Sequence, residues 1–226
     1  IKVPENALLL NSNGTSIIPF NLVATGQKHA SISGSIHFLA PHGLTIISDI
    51  DDTIKQSDVN NKFKLLRNTF SKPFTAVPGM AKLYQQWLTN HEAHFHYLTA
   101  SPWQLYKPIV DFLATKKFPA GTFNMKHFRY KDRSFFKIFQ NSITFKTLAI
   151  ENFIQRYPQR SLLLIGDSGE NDLEIYTRIA KKFPLNVKAI LIRDTGHVAS
   201  SNDKPSCPVH IFSHASDLQS MEIGDL

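Results

Sequence analysis

The chain is poor in cysteine. Cys207 stands alone among 226 residues, so no internal disulfide framework can hold the fold. It also lacks any apolar run approaching the ~18–20 residues that a spanning helix needs, so membrane contact is expected to be peripheral. Acidic residues are the scarcer charge, 18 against 25 Lys and Arg, which leaves a net charge of +7 and a pI near 9.4. Such a surplus suits an anionic partner: phosphate, nucleic acid or a membrane surface. No internal repeat, low-complexity tract or long linker interrupts the sequence. With 42% hydrophobic and 19% charged residues it reads as an ordinary globular protein, long enough for one sizeable domain with at most a small appendage. The chain opens on Ile1 rather than Met, which leaves a preceding signal segment open.

What is present divides at about residue 43. Residues 1–43 are β-like: "TSIIPFNLVAT" and "ASISGSIHFLAP" carry β-branched and aromatic residues with partial alternation. Pro41-His42-Gly43 ends this lead. From residue 44 to 226 strands and helices alternate. "LTIISD", "HFHYLT", "GTFNM", "SLLLIGD", "NVKAILIR" and "VHIF" read as strands; residues 79–91, 144–158 and 170–183 read as helices. A further helix is expected from Ser101, with Pro102 in its first turn. This alternation argues for an α/β domain with a mostly parallel sheet flanked by helices. Ligands of such sheets lie beyond the carboxyl ends of the strands.

Four features fall at those ends or at helix starts: "DIDDT" (49–53), "YLTASPW" (97–103), Lys146, and "IGDSGEND" (165–172). Each alone has a commoner explanation. "DxDxT" can be a turn and cap, Thr99 an N-terminal cap, Lys146 a surface lysine rivalled by Lys126 or Lys137, and "GDSG" a turn. Together, in this order, they point to one crevice. Asp49, Asp51, Asp167 and Asp172 cannot all stay ionised there without a counter-charge. A hard cation with oxygen ligands supplies it, and Mg²⁺ suits a site that also holds phosphate. Asp49 is the expected nucleophile and Asp51 the expected proton donor and acceptor. Thr53 is placed to orient the loop, Thr99 to meet a phosphate at a helix start, and Lys146 to screen Asp49. Asp167 is the expected further metal ligand and Asp172 a ligand or its orienter. The His94–His96 pair shares one strand face, but without cysteine or a third nearby histidine it does not argue for zinc.

These four features resemble the motifs of the haloacid-dehalogenase-like hydrolases. More narrowly, "SDIDDTIKQSDV", "AVPGMAKLY", "HYLTASPWQLY", "FK" (145–146) and "LIGDSGENDLEIY" are similar to the catalytic domain of the fungal actin-patch phosphatidate phosphatase family and its bacterial relatives, and distantly to the lipins. The resemblance runs from about residue 40 to 195. It implies a Rossmann-like core without a large cap, and a Mg²⁺-dependent phosphatase converting phosphatidate to diacylglycerol through an aspartyl-phosphate. By motif position it implies Asp49, Asp51, Thr99 and Lys146 as catalytic residues and Thr53, Thr99, Ala100 and Lys146 as substrate-binding residues. Asp49, Asp51, Asp167 and Asp172 would hold the metal. Asp52 is read as a capping or surface residue.

About forty-five residues separate the first two motifs, too few for a folded cap that seals the site. An open site suits phosphate presented at a bilayer or on a large molecule. Lys55, Lys62, Lys64, Arg67 and Lys72 crowd the first interval, and Lys107, Lys116, Lys117, Lys126, Arg129, Lys131, Arg133 and Lys137 follow the second motif, with Phe70, Phe74, Phe128, Phe135, Phe136 and Phe139 interleaved. Basic residues near an anionic membrane contribute ~1 kcal/mol each. The expected partner is phosphatidate or another anionic lipid, at a cytoplasmic or peripheral-membrane location. Nucleic acid is the less favoured partner. The alternatives are the same chemistry on a phosphoinositide, phosphopeptide or nucleic-acid end, and a non-catalytic lipid-binding module.

Overall fold

The computed structural model describes residues 16–23, 31–56, 74–127, 142–197, 201, 204–219 and 221. The lead forms an antiparallel pair, β1 (Ser16–Val23) and β2 (Ser31–Phe38). The main sheet contains β3 (Gly43–Ser48), β6 (His94–Pro102), β7 (Gly121–Lys126), β8 (Arg160–Asp167), β9 (Val187–Arg193) and β10 (Val209–Phe212). Its spatial order is β10-β9-β8-β3-β6-β7, and every neighbouring pair is parallel. A two-residue ladder, β4 (Lys55–Gln56) with β5 (Thr75–Ala76), follows the central strand β3.

Both faces of the sheet are covered, which is why its central strands read as nearly continuous apolar runs. Helices α1 (Met80–His91) and α2 (Tyr106–Thr115) pack Met80, Leu83, Tyr84, Ile109 and Phe112 against Ile46, Phe95 and Leu163 on one face. Helices α3 (Ser142–Arg156) and α4 (Asp172–Lys182) pack Ile150, Phe153, Ile175 and Ile179 against Ile47, Leu164 and Ile190 on the other. The chain leaves β3 first towards β6 and β7, then returns to the other side of β3 as β8. The strand order therefore reverses at β3, and the crevice that such a reversal opens lies beyond its carboxyl end. Among the described residues no folded cap covers that end, as expected.

The helix expected from Ser101 is displaced. Strand β6 runs on to Pro102, held by the β7 ladder through a register shift between Thr99 and Pro102. A single 3₁₀ turn, Trp103–Leu105, follows, and α2 begins at Tyr106. The proline in its first turn is Pro108, where the missing N–H is tolerated; Pro102 mimicked that signal. Trp103 and Tyr106 are 36% and 39% exposed, with their rings 5.5 Å apart, and Tyr106 meets Phe123 of β7 edge-on.

Candidate active site

Asp49 is the first residue beyond β3, and its N–H still bonds the Ile165 carbonyl of β8 at 2.9 Å. That bond fixes the carboxylate at the crevice with 1% exposure. Thr53, one turn on, donates to Asp49 Oδ2 at 3.2 Å. Lys146 lies in the second turn of α3 rather than at its opening. Its Nζ is 2.9 Å from Asp49 Oδ1, 2.5 Å from Asp172 Oδ1 and 3.0 Å from Glu170 Oε2. Asp167 ends β8; its Oδ1 accepts the N–H groups of Gly169 and Glu170 at 2.6 and 3.1 Å. Asp172 opens α4, and its Oδ2 accepts the Asp167 N–H at 3.3 Å.

Asp49, Glu170 and Asp172 thus meet the Lys146 ammonium, and the Asp167 carboxylate lies beside them. Burial opposes the Lys146 ammonium, but Asp172, Asp49 and Glu170 outweigh it and hold its pKa well above the usual value. Burial pushes Asp49 well up against the pull of Lys146, and its acidic neighbours add to the rise. Asp167 is pushed up to about 7 by burial and by Asp172 and Glu170. A ligand atom from each of Asp49, Asp167 and Asp172 lies within 4.8 Å of the others. Asp167 Oδ2 is buried without a hydrogen-bond partner. An orphaned buried oxygen is costly, and an all-oxygen, over-negative cradle is what a hard divalent cation takes. The residues fit a metal.

Asp51 departs from the expected cluster of four. Its carboxylate is turned out of the metal-type group: Oδ1 is 2.6 Å from Lys55 Nζ, and Oδ2 accepts the hydroxyls of Thr99 and Ser101 at 3.1 and 3.2 Å. Burial pulls its pKa up, but Lys55 and these hydroxyls outweigh that and hold it below the usual carboxylate range. Two carboxylates two residues apart are therefore driven in opposite directions, and Lys55 with the two hydroxyls holds Asp51 as the carboxylate, the form that accepts a proton. Thr99 sits in β6, not at a helix start, and receives the Ser101 N–H at 3.0 Å. It faces the site through Asp51 rather than through a helix dipole. Ala100, buried beside it, lies on the same strand end. Asp52 adopts φ 57°, and its carbonyl accepts Arg193 Nη1 at 2.6 Å, so it shapes the loop.

Three residues of this site were not singled out in the sequence: Lys55, Ser101 and Glu170. Lys55 is one of the basic residues that crowd the first interval, yet it is 2% exposed. Its only local signal is its place four residues after Asp51. Of the basic and aromatic residues expected around the site, Lys62, Lys64, Arg67, Lys72, Arg129, Lys131, Arg133, Lys137, Phe70, Phe128, Phe135, Phe136 and Phe139 lie outside the described residues.

A parallel α/β sheet that gathers buried acids and a lysine beyond its central strand has the fold of the haloacid dehalogenase-like hydrolases. A solved structure of a haloacid dehalogenase-like hydrolase from Burkholderia xenovorans LB400 overlays with a TM-score of 0.53, covering 81% of this chain and 98% of its own, at 11% identity. Residues 44–194 match the family described as phosphatidate phosphatase APP1, catalytic domain, and the chain belongs to that family. It is 30% identical to the phosphatidate phosphatase APP1 of Saccharomyces cerevisiae over 80% of its residues, and 31% identical over 68% to an uncharacterized protein of Schizosaccharomyces pombe. It spans 31% and 25% of those two relatives.

Proposed function

We propose that this chain is a Mg²⁺-dependent phosphatase that hydrolyses phosphatidate to diacylglycerol and phosphate at a membrane surface. The observation that carries the reading is the buried cluster of Asp49, Asp167 and Asp172 gathered with Lys146 beyond the central strand. Asp49, held at the strand end by the sheet ladder and by Thr53, attacks phosphorus, and the bond to the ester oxygen breaks. Asp51, on the other side of the loop, is the proposed donor to that departing oxygen, and it must first take up a proton, because Lys55 and two hydroxyls hold it as the carboxylate in the free site. It then takes a proton from the water that hydrolyses the aspartyl-phosphate. Lys146 screens Asp49 from the incoming dianion and keeps the carboxylates in place. Thr53, Thr99 and Ala100 line the phosphate's approach. A divalent ion held by Asp49, Asp167 and Asp172, with Asp51 as a further ligand through its carbonyl, would neutralise charge on the phosphoryl oxygens.

The lipid surface is supported by the rim. Trp103 and Tyr106 are exposed just beyond the strand end that bears Thr99 and Ser101, and both residue types favour the bilayer interface. Lys107 is exposed beside them, and Lys126 ends the neighbouring strand. Among the described residues no helix is long and apolar enough to cross a membrane. Peripheral attachment from the cytoplasmic side is part of the proposal. So is the division into residues 1–43 and a phosphatase unit at 44–226, which the separate β1–β2 sheet supports.

The test is phosphate release from phosphatidate in mixed micelles, with Mg²⁺ and with excess chelator, beside Asp49→Asn. The expected result is Mg²⁺-dependent release that rises with the surface fraction of phosphatidate and is lost in the variant. Equal turnover of soluble phosphate esters with indifference to lipid would sink the substrate. Activity in chelator would sink the metal.

A further inference from the structure

The end of β9 has no part in the chemistry above, yet it is bonded to both sides of the acid cluster. Arg193, the last residue of β9, pairs with Asp167 across the β8 ladder. Its carbonyl accepts the Ser168 N–H at 2.9 Å, and its Nη1 donates to the Asp52 carbonyl at 2.6 Å. One residue thus holds the turn that carries Asp167 and the turn that follows Asp49. Two residues on, the Thr195 N–H donates to Ser168 Oγ at 2.9 Å, and the two hydroxyl oxygens are 3.0 Å apart. Thr195 Oγ1 also lies 3.2 Å from His197 Nδ1. The segment is itself anchored: the Asp194 N–H bonds the Phe212 carbonyl of β10 at 2.7 Å, and Asp194 Oδ1 accepts the Gly196 N–H at 2.8 Å. The turn it grips is the one that aims Asp167. The N–H groups of Gly169 and Glu170 occupy Asp167 Oδ1 and fix the carboxyl, while Oδ2 has no hydrogen-bond partner among the described residues. A Cβ at Gly169 would lie 3.0 Å from Asp167 Oδ1 and 3.2 Å from Thr195 Oγ1, so segment and turn are packed without room for a methyl group.

We propose that Arg193 and Thr195 are positioning residues for the cation: they set the spacing between the Asp49 and Asp167 carboxylates and so make the cradle favour a small ion. The inference rests on the metal part of the phosphatase reading. Arg193 acts on the Asp49 side through the Asp52 carbonyl, and Thr195 on the Asp167 side through Ser168. Mg²⁺ demands near-ideal octahedral geometry with ligands at about 2.0–2.1 Å, whereas Ca²⁺ takes ligands at about 2.3–2.6 Å in a flexible arrangement. A fixed spacing of acids is therefore worth most to the smaller ion. Slackening either side of the bracket costs Mg²⁺ binding and largely spares Ca²⁺.

The experiment follows the rise of Tm as Mg²⁺ or, separately, Ca²⁺ is added to the chelator-stripped chain, which gives the Kd of each ion without recourse to activity. Thr195→Val keeps the shape of the side chain and removes its hydroxyl. It should weaken Mg²⁺ binding about tenfold, the scale on which groups behind metal ligands act, while Ca²⁺ binding weakens less than about threefold. Thr195→Ser, which restores the hydroxyl, should return the Mg²⁺ Kd to within about twofold of the parent. Arg193→Met keeps the backbone bond to Ser168 and loses the guanidinium, and it should show the same selective loss. The starting Tm in chelator separates that loss from a general loss of stability. An unchanged Mg²⁺ Kd in Thr195→Val, or equal losses for the two ions, would overturn the proposal. A parent chain that binds neither ion would instead overturn the metal reading itself.

Discussion

Lys146 holds three carboxylates within 3.0 Å of one buried nitrogen, and its removal leaves them facing one another. Breaking a buried ion pair by deleting one partner costs roughly 3–5 kcal/mol. These acids have a partial escape, because burial already pushes Asp49 and Asp172 up and protonation would relieve them. Lys146→Met, measured by urea denaturation in chelator, should therefore be destabilised more at pH 8 than at pH 6, and phosphate release should be lost at both. A second residue-scale consequence lies at the opposite end of β6. His94 Nε2 and His96 Nδ1 both bond the one hydroxyl of Thr122, at 3.0 and 2.7 Å. A hydroxyl donates once, so one ring accepts and the other donates, an arrangement neutral imidazoles complete by themselves. Burial lowers His96 to about 4; burial, with His96, His37 and Arg160 nearby, lowers His94 to about 2. The unfolded chain binds these protons near pH 6.5, so the stability they confer is full above that value and is lost as pH falls towards 4. His96 alone should account for about 3 kcal/mol by pH 4. His96→Gln, which keeps a partner for Thr122 but does not titrate, should flatten the acid limb of stability between pH 6.5 and 4 by about that amount. An unchanged limb would show that His96 is not buried neutral.

At the scale of elements, strand β8 and helix α4 meet at one atom-width. A Cβ added to Gly166 would lie 2.6 Å from Asp172 Cβ and 2.7 Å from its Cγ, closer than such atoms approach. The glycine lets the first residue of α4 fold back over the strand end, and so sets where Asp172 meets Lys146 and the Asp167 N–H. Gly166→Ala should lower phosphate release by at least ~10²-fold, the cost of an ångström-scale displacement in a reacting site, while the far-ultraviolet spectrum stays native. Near-normal turnover would mean that Asp172 is not held by this contact. Elements of this kind were open to reading from sequence for uneven reasons. The strands of "LTIISD" and "SLLLIGD" showed themselves because a strand covered on both faces must be apolar throughout, and α1 and α4 because one face repeats at helical spacing. The acids ending those strands stood out as charges where burial penalises them. The start of α2 was misplaced because Pro102 at a strand end and Pro108 in a helix offer the same local signal, and only the β7 ladder decides between them. Lys55 escaped because its neighbours are basic, and its burial depends on a turn at 50–55 and on Phe74, nineteen positions further along the chain. Glu170 escaped for a similar reason: nothing local tells that the turn after β8 brings it to a lysine from α3.

At the scale of the whole molecule, the Arg160 side chain ties the connection from the lead to the main sheet. Arg160, the first residue of β8 and 2% exposed, donates Nη1 to the carbonyls of Ala40 and His42, Nη2 to that of Leu44 at 2.7 Å, and Nε to Thr45 Oγ1 at 2.7 Å. The connection from β2 into β3 is thereby wrapped around a single guanidinium at the end of the sheet remote from the acids. A planar five-donor group can serve three carbonyls and a hydroxyl at once; a lysine cannot. With Arg160→Met, the carbonyls of 40, 42 and 44 lose their donor. At about 1 kcal/mol or more for each under-satisfied group, the chain should lose roughly 3 kcal/mol in urea denaturation. Because the connection lies at the amino ends of β3 and β8, the carboxylates at their carboxyl ends should be undisturbed. Residual activity per folded molecule should therefore stay close to that of the parent, while limited proteolysis should gain a cleavage site between residues 39 and 44. Loss of activity in step with stability would show instead that the lead and the catalytic end are mechanically joined through β3, and that the hairpin of β1 and β2 belongs to the working unit rather than standing beside it.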